Sequence, residues 1–370
     1  MDYAFAPGRD AQSGRVRRMF GLRAQTTTIA ARRRRTTVQQ FINHLNTTAS
    51  ITKPIGNLLL GAHANSEGEI FITLFTGQRN GTNWDALEES LNDAANSIAI
   101  PDTLIGFTTP PPTAFLHFKG CNAGKQRPFL VKLKEALGDH VNVTAPKHFH
   151  DIFFDTRYGV WESMAYEFRL QRPEASAFAD LAAARLAFHG AALPLINGGA
   201  IPRDNWDTWI PDTVNVSRSS LWRVRANIGS GFGRRTTVNT IMEFRVDPTT
   251  FHTAITSSAT SDAQRKADLQ TELGKLNRFK TTHPFPRYRE LGYASLSSFV
   301  NGYTWRFTHS GTDLDCLGSR IIYTSVVPIR DPADALNGNL IFNFYPKAGS
   351  TIPAVTTTLQ ESDATYFESV

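Results

Sequence analysis

The stretch that most constrains this chain is residues 113–146. It reads as strand, glycine-rich turn, helix and strand. Ala114 to Phe118 are apolar or aromatic apart from His117, lie between prolines and a glycine, and predict a buried strand. Gly120-Cys121-Asn122-Ala123-Gly124 turns the chain. Phe129, Leu130, Leu133, Ala136 and Leu137 then share one helical face until Gly138 stops the helix. Val141 to Pro146 is the next strand, so the unit reads as a parallel βαβ crossover. Cys121 therefore stands at the carboxyl end of a strand and ahead of a helix, where open α/β sheets carry their chemistry. Glycines beside it allow backbone N–H groups to approach a ligand. A helix N-terminus would favour thiolate over thiol.

A second strand ends in the same manner. Asn57-Leu-Leu-Leu-Gly-Ala-His63 is an apolar run that stops at histidine, and Ala64 to Gly68 turn the chain toward an expected strand at Glu69–Phe75. His63 and Cys121, 58 residues apart, would then meet at one rim of the sheet. The pattern resembles the caspase-like cysteine peptidases over roughly residues 37 to 160. Those enzymes carry a histidine after one strand and a cysteine after the next. Gly120-Cys121-Asn122-Ala123-Gly124 matches their small residue-Cys-x-x-Gly motif, whereas Ala64 stands where they usually have glycine. The resemblance implies a catalytic His63–Cys121 dyad in a mostly parallel, helix-flanked sheet. Gly120 and Ala64 would lie in the loops that hold the oxyanion, together with the Cys121 N–H. No cofactor or metal is called for.

The net charge of +6 is unevenly placed. Nine arginines against Asp2 and Asp10 give residues 1–36 a charge of +7, which leaves −1 for the remainder. Residues 1 to about 25 show little periodicity and read as a flexible basic arm, either a solvated tail or a contact for nucleic acid, a membrane surface or an acidic partner. Gln25–Ala31 reads as a short strand. No run approaches a membrane span, and the opening residues lack the apolar segment of a secretion signal. Two cysteines make no disulfide framework, so a reducing, cytoplasmic setting is expected with both thiols free.

Along the rest of the chain, Thr36-x-x-Gln39 and Thr37-x-x-Gln40 both fit a capping box ahead of Val38, Phe41, Ile42 and Leu45, a helical stripe. Helices are expected at Trp84–Ile98, Glu162–Leu170, Ala175–Phe188 and Asp262–Leu276. From about residue 201 the texture turns to alternating strands, a β-rich part expected to pack beside the first sheet or wall its cleft, and the tail from Ala348 reads as mobile. His148 and His150 alternate toward one side, but nothing nearby completes a zinc ligand set. Cys316 lies beside Asp313 and Asp315, which would raise its pKa, so Cys121 is the better nucleophile.

Three functions follow. The first is a peptidase acting on protein or peptide substrates through His63 and Cys121. The second is a silent caspase-like scaffold, since fold does not fix function. The third is a nucleic-acid binder working through the arginine arm.

Overall fold

Tyr3 and Phe5 point to one side of the first strand and Ala4 to the other. That two-residue alternation recurs where Leu58 and Leu60 oppose Leu59, and it sorts the core into two layers. The computed structural model describes residues 1–30, 36–48, 54–66, 68–78, 81–105, 114–156, 158–179, 181–197, 220–227, 237–329, 341–350 and 359–370. The chain divides into two compact units, one of Met1–Ala165, Asn227–Thr236 and Leu340–Val370, the other of Tyr166–Ala226 and Thr237–Asn339.

The first unit is built on six strands, β1 (Asp2–Phe5), β2 (Thr26–Ile29), β3 (Asn57–Gly61), β4 (Ala114–Lys119), β5 (Val141–Pro146) and β13 (Phe367–Ser369). Their order is β13-β5-β4-β3-β1-β2, parallel throughout except for β13. This is a doubly wound sheet whose direction of growth reverses between β1 and β3. Helices α1 (Ala11–Leu22), α2 (Val38–Thr48), α3 (Trp84–Asn92) and α4 (Arg127–Ala136) supply the crossovers. Val38, Phe41, Ile42 and Leu45 of α2, Leu87 of α3 and Phe129, Leu130 and Leu133 of α4 bury against Tyr3, Phe5, Leu58, Leu60, Leu116 and Phe118. Each such apolar side chain contributes about 1.5–3 kcal/mol of burial. The opposite face takes Val16, Met19 and Phe20 of α1 together with Ile152 and Val160. Those two residues come from β6 (Phe149–Asp155) and the first half of β7 (Gly159–Pro173). With β12 (Phe342–Pro346) they form an antiparallel layer within the same unit.

Local signals formed as the sequence predicts at several points. Gln40 N–H donates to Thr37 Oγ1 at 3.2 Å and Thr37 N–H to Gln40 Oε1 at 3.3 Å, which is the capping box of α2. Gly138, at φ +96°, ends α4.

Other expectations are corrected. Residues 1–29 are not an arm: β1 lies between β2 and β3, and α1 packs on the sheet. The arginines serve this packing. Arg17 Nη1 donates to the Ala6 and Gly8 carbonyls at 2.8 and 2.6 Å, and Arg18 lies over the Phe154 ring. Glu69–Phe75 makes single bridges through Ile70 and Thr73 rather than a strand. The expected 84–98 helix forms only over Trp84–Asn92, as α3, before a separate 3-10 turn, Ala94–Asn96. Glu162–Leu170 is strand, not helix, because pairing with β6 and β12 outweighs its helix-forming composition. The end of the chain does not hang free. Leu359 and Phe367 are buried, and β13 pairs with β5, so residues 340–370 belong to the first unit rather than to a C-terminal domain. Arg32–Arg35, the Gly- and Trp-rich loop expected over 197–209 and the hairpin connection expected at Gly229–Gly233 fall outside the described residues, Asn197 apart.

In the second unit the strand order is β7-β11-β9-β8. It comprises the remainder of β7, β8 (Ser220–Asn227), β9 (Thr237–Thr256) and β11 (Asp313–Pro328), with β10 (Thr304–Ser310) added to β11. Helix α5 (Leu181–Asn197) begins later than the 175–188 helix expected, after a 3-10 turn at Glu174–Ser176. Helices α6 (Asp262–Lys275), α7 (Arg287–Glu290) and α8 (Leu296–Asn301) complete the unit. Leu269 and Leu273 of α6 enter a core with Phe279, Phe299, Tyr303, Trp305 and Cys316. Phe299 meets Phe251 and Tyr303 edge-on at 5.1 Å each, a favoured aromatic geometry. Among the described residues no helix is long and apolar enough to cross a membrane.

Candidate functional site

Strands β3 and β4 are neighbours and run parallel, with Gly61 opposite Lys119. His63 and Cys121 each lie two residues beyond that pair, at the carboxyl rim. The Ala62 N–H donates to the Lys119 carbonyl at 3.3 Å, which extends the alignment past the strand ends. Gly120 is required here. A Cβ on it would meet the Ala62 carbonyl oxygen at 2.5 Å and collide with the Phe118 ring.

His63 sits beside the point where the sheet reverses direction, and its ring is met from β1. Asp10, in the turn after β1, places Oδ1 3.2 Å from His63 Nε2. Asp10 also caps α1: its Oδ1 accepts the Ser13 N–H at 2.9 Å and its Oδ2 the Ser13 hydroxyl at 2.8 Å. Burial opposes ionisation of Asp10, but the Ser13 donors and the His63 ring outweigh it and hold the carboxyl well below the usual carboxylate range. Arg17, bonded to the Ala6 and Gly8 carbonyls, fixes the turn that presents it. Sequence reasoning named no third residue. The available signal was Asp10 as an N-cap with Ser13 at N3, visible only to a reading that treats residues 1–22 as folded.

The loop after His63 is a short ribbon. Ala64 bridges Ile70, the Asn65 N–H donates to the Glu69 carbonyl at 3.1 Å, and the Phe71 N–H donates to the His63 carbonyl at 2.8 Å. In this pattern the Ala64 N–H points out of the ribbon rather than toward Ile70. The ribbon tip is tied to the Cys121 side of the rim by Gln126, whose Nε2 donates to the Ser66 carbonyl at 2.5 Å.

Cys121 is half-buried, and its Sγ donates to the His150 carbonyl oxygen at 3.4 Å. No α-helix begins directly at Cys121, contrary to expectation: a 3-10 turn at Ala123–Lys125 follows it, and α4 begins only at Arg127, with Pro128 in its first turn. The next residue, Asn122, takes a left-handed backbone at φ +58° and donates its N–H to the His148 carbonyl at 2.9 Å. Cys316 faces the second unit's core; burial and then Asp315 push its thiol up to about 11.

Behind Cys121 lies a buried ionic cluster that the sequence did not announce. Lys119 and Glu162 are fully enclosed, with Nζ 2.7 Å from Oε1. Glu162 also meets the His150 ring at 2.7 Å, the Tyr345 hydroxyl at 2.8 Å and Asn343 Nδ2 at 3.1 Å. Glu361 bonds Lys119 at 3.0 Å and Arg23 at 2.9 Å. Burial would drive Lys119 toward the neutral amine, yet Glu162 and Glu361 outweigh it and raise its pKa. Burial likewise opposes ionisation of both carboxyls. Lys119 and the His150 ring hold Glu162 well below its ordinary value, while Lys119 and Arg23 hold Glu361 at about 2. His148 and His150 do not converge as metal ligands: His150 Nε2 is taken by Glu162, and His148 Nε2 lies 3.3 Å from the Thr365 carbonyl.

Comparison of the chain with family models, curated proteins and solved structures finds no match.

Proposed function

We propose that the chain is a caspase-like cysteine endopeptidase in which His63 and Cys121 act as the dyad and Asp10 orients the imidazole. The observation that carries this reading is the register of β3 on β4, which sets both residues at equal offsets past Gly61 and Lys119. Because Asp10 meets Nε2, Nδ1 is the nitrogen left to take the thiol proton. Turning the Cys121 side chain from the His150 carbonyl toward His63 precedes attack. Sγ then adds to the scissile carbonyl as the proton passes to the ring, and Asp10 stabilises the imidazolium. The Ala64 N–H and the N–H groups of the Gly120–Cys121 turn are the donors proposed for the oxyanion. The imidazolium protonates the leaving amine, and water releases the acyl group from the thioester. Cleavage of a peptide library by the wild-type chain, abolished in Cys121→Ala and in His63→Ala, is the expected result; cleavage that survives either substitution sinks the reading.

The Cys121–His150 bond favours a second reading, a silent scaffold of the same fold whose thiol never ionises. Equal alkylation of Cys121 in wild type and His63→Ala would select it. Arg17 and Arg18 bind this chain's own loop and ring, which counts against a nucleic-acid contact through those two side chains.

A further inference from the structure

Phe71 is 57% exposed, the only strongly exposed aromatic side chain among the described residues. Its flanking residues Ile70 and Ile72 are buried, at 3% and 4%. The alternation thus turns one large apolar group outward while its neighbours fill the core. A scattered exposed hydrophobic residue needs no explanation by itself; this one has a particular address. The Ala64–Ile70 bridge and the Phe71 N–H to His63 carbonyl bond make His63 and Phe71 directly opposed across the ribbon. Opposed residues of an antiparallel pair project to the same face with Cβ atoms about 4.5–5.5 Å apart. That face is the outer one: Ala64 and Ile70 pack against the core, and the His63 side chain is 51% exposed. Gln126, bonded to the Ser66 carbonyl, holds the ribbon beside the segment that follows Cys121.

We infer that Phe71 is the specificity contact of the site, an apolar platform that receives an aromatic or large aliphatic side chain of an extended peptide next to the scissile bond. This rests on the peptidase reading, because only a substrate held at His63 comes within reach of the ring. The aromatic face supplies contact area at little cost in side-chain entropy. A peptide with a small or charged residue there leaves the ring wet and gains nothing from it.

The test uses the full chain and two alkylating probes, iodoacetamide and its N-benzyl analogue, with each rate at Cys121 divided by that at free N-acetylcysteine. The expected result is a preference of the wild type for the benzyl reagent, which Phe71→Ala lowers by about five-fold or more, in the range of pocket contacts. Phe71→Ala should lower the benzyl rate more than the iodoacetamide rate, and Phe71→Leu should keep most of the preference. An unchanged benzyl preference in Phe71→Ala, or none in the wild type, overturns the inference while His63→Ala still slows both reagents. If His63→Ala slows neither, the peptidase reading itself has failed, and the inference with it.

Discussion

Asp10 and His63 meet at 3.2 Å although 53 residues separate them. The contact exists because β1 lies directly beside β3, with Phe5 opposite Leu60, so the turns leaving these strands emerge together at the carboxyl rim. This is the position where a doubly wound sheet opens a crevice, since its crossovers leave in opposite directions there.

Asp10 has two roles that substitution can separate. Asp10→Ala removes both the α1 cap and the histidine contact, and should cost about 1 kcal/mol of stability through the cap. Asp10→Ser should keep most of that stability in a denaturant titration, because serine caps well. Both variants should lose peptide cleavage, by about ten-fold or more in kcat. If Asp10→Ser cleaves as the wild type does, the carboxylate does not orient His63.

Cys121 should be alkylated faster than Cys316 in the folded chain near neutral pH. Cys316 is buried, with its pKa pushed up to about 11, first by burial and then by Asp315. His63→Ala should slow labelling at Cys121 and leave Cys316 untouched. Mass spectrometry of the two tryptic peptides reads both rates from one sample.

Glu162→Gln should destabilise the first unit by about 3–5 kcal/mol, since it leaves Lys119 charged and enclosed with one fewer carboxylate. Lys119→Met should cost a similar amount. The double variant should cost less than the sum, because the two side chains share one interaction. Additive losses in urea unfolding would show that the pair is not coupled.

The pH dependence has two opposed contributions. Burial holds His117 and His148 at about 4, below the ordinary 6.5, so the unfolded chain takes up protons that the folded chain refuses. Stability from these groups is full above pH 6.5 and falls as pH drops toward 4. Asp151 behaves in the opposite sense. Burial raises it from 3.8 to about 6 against the pull of Arg15, so its ionisation weakens the fold as pH rises through that window. Asp151→Asn should therefore stabilise the chain at pH 7 by about 1–3 kcal/mol, and the gain should vanish below about pH 4. His117→Gln should flatten the loss between pH 6.5 and 4 in thermal melts. A pH-independent effect of either substitution would contradict the assignment.

The elements whose signals are local follow from the sequence alone. The apolar runs at 57–61 and 114–119, the α2 capping box, the Phe129–Leu133 stripe and the stop at Gly138 each lie within one turn or one pleat of their cause. The two apolar runs also place His63 and Cys121 just past strand ends, although burial continues through Lys119 and Asn122. What those strands lie beside is set by long-range pairing. The pairing of Phe367 with Pro146 and of Phe342 with Ser163 joins residues far apart in the chain, and no local period encodes it. Glu162 illustrates the limit. Its neighbours Met164, Ala165 and Glu167 favour helix, yet the segment is a strand, and a fully buried Glu162 holds Lys119. Asp10 was hidden for the same reason: β1, only four residues long, carries almost no periodic signal, and its place in the sheet comes from β2 and β3 on either side. Burial of a strand depends on the strands next to it, so the residues that complete a site at the rim become visible only once the order of the sheet is known.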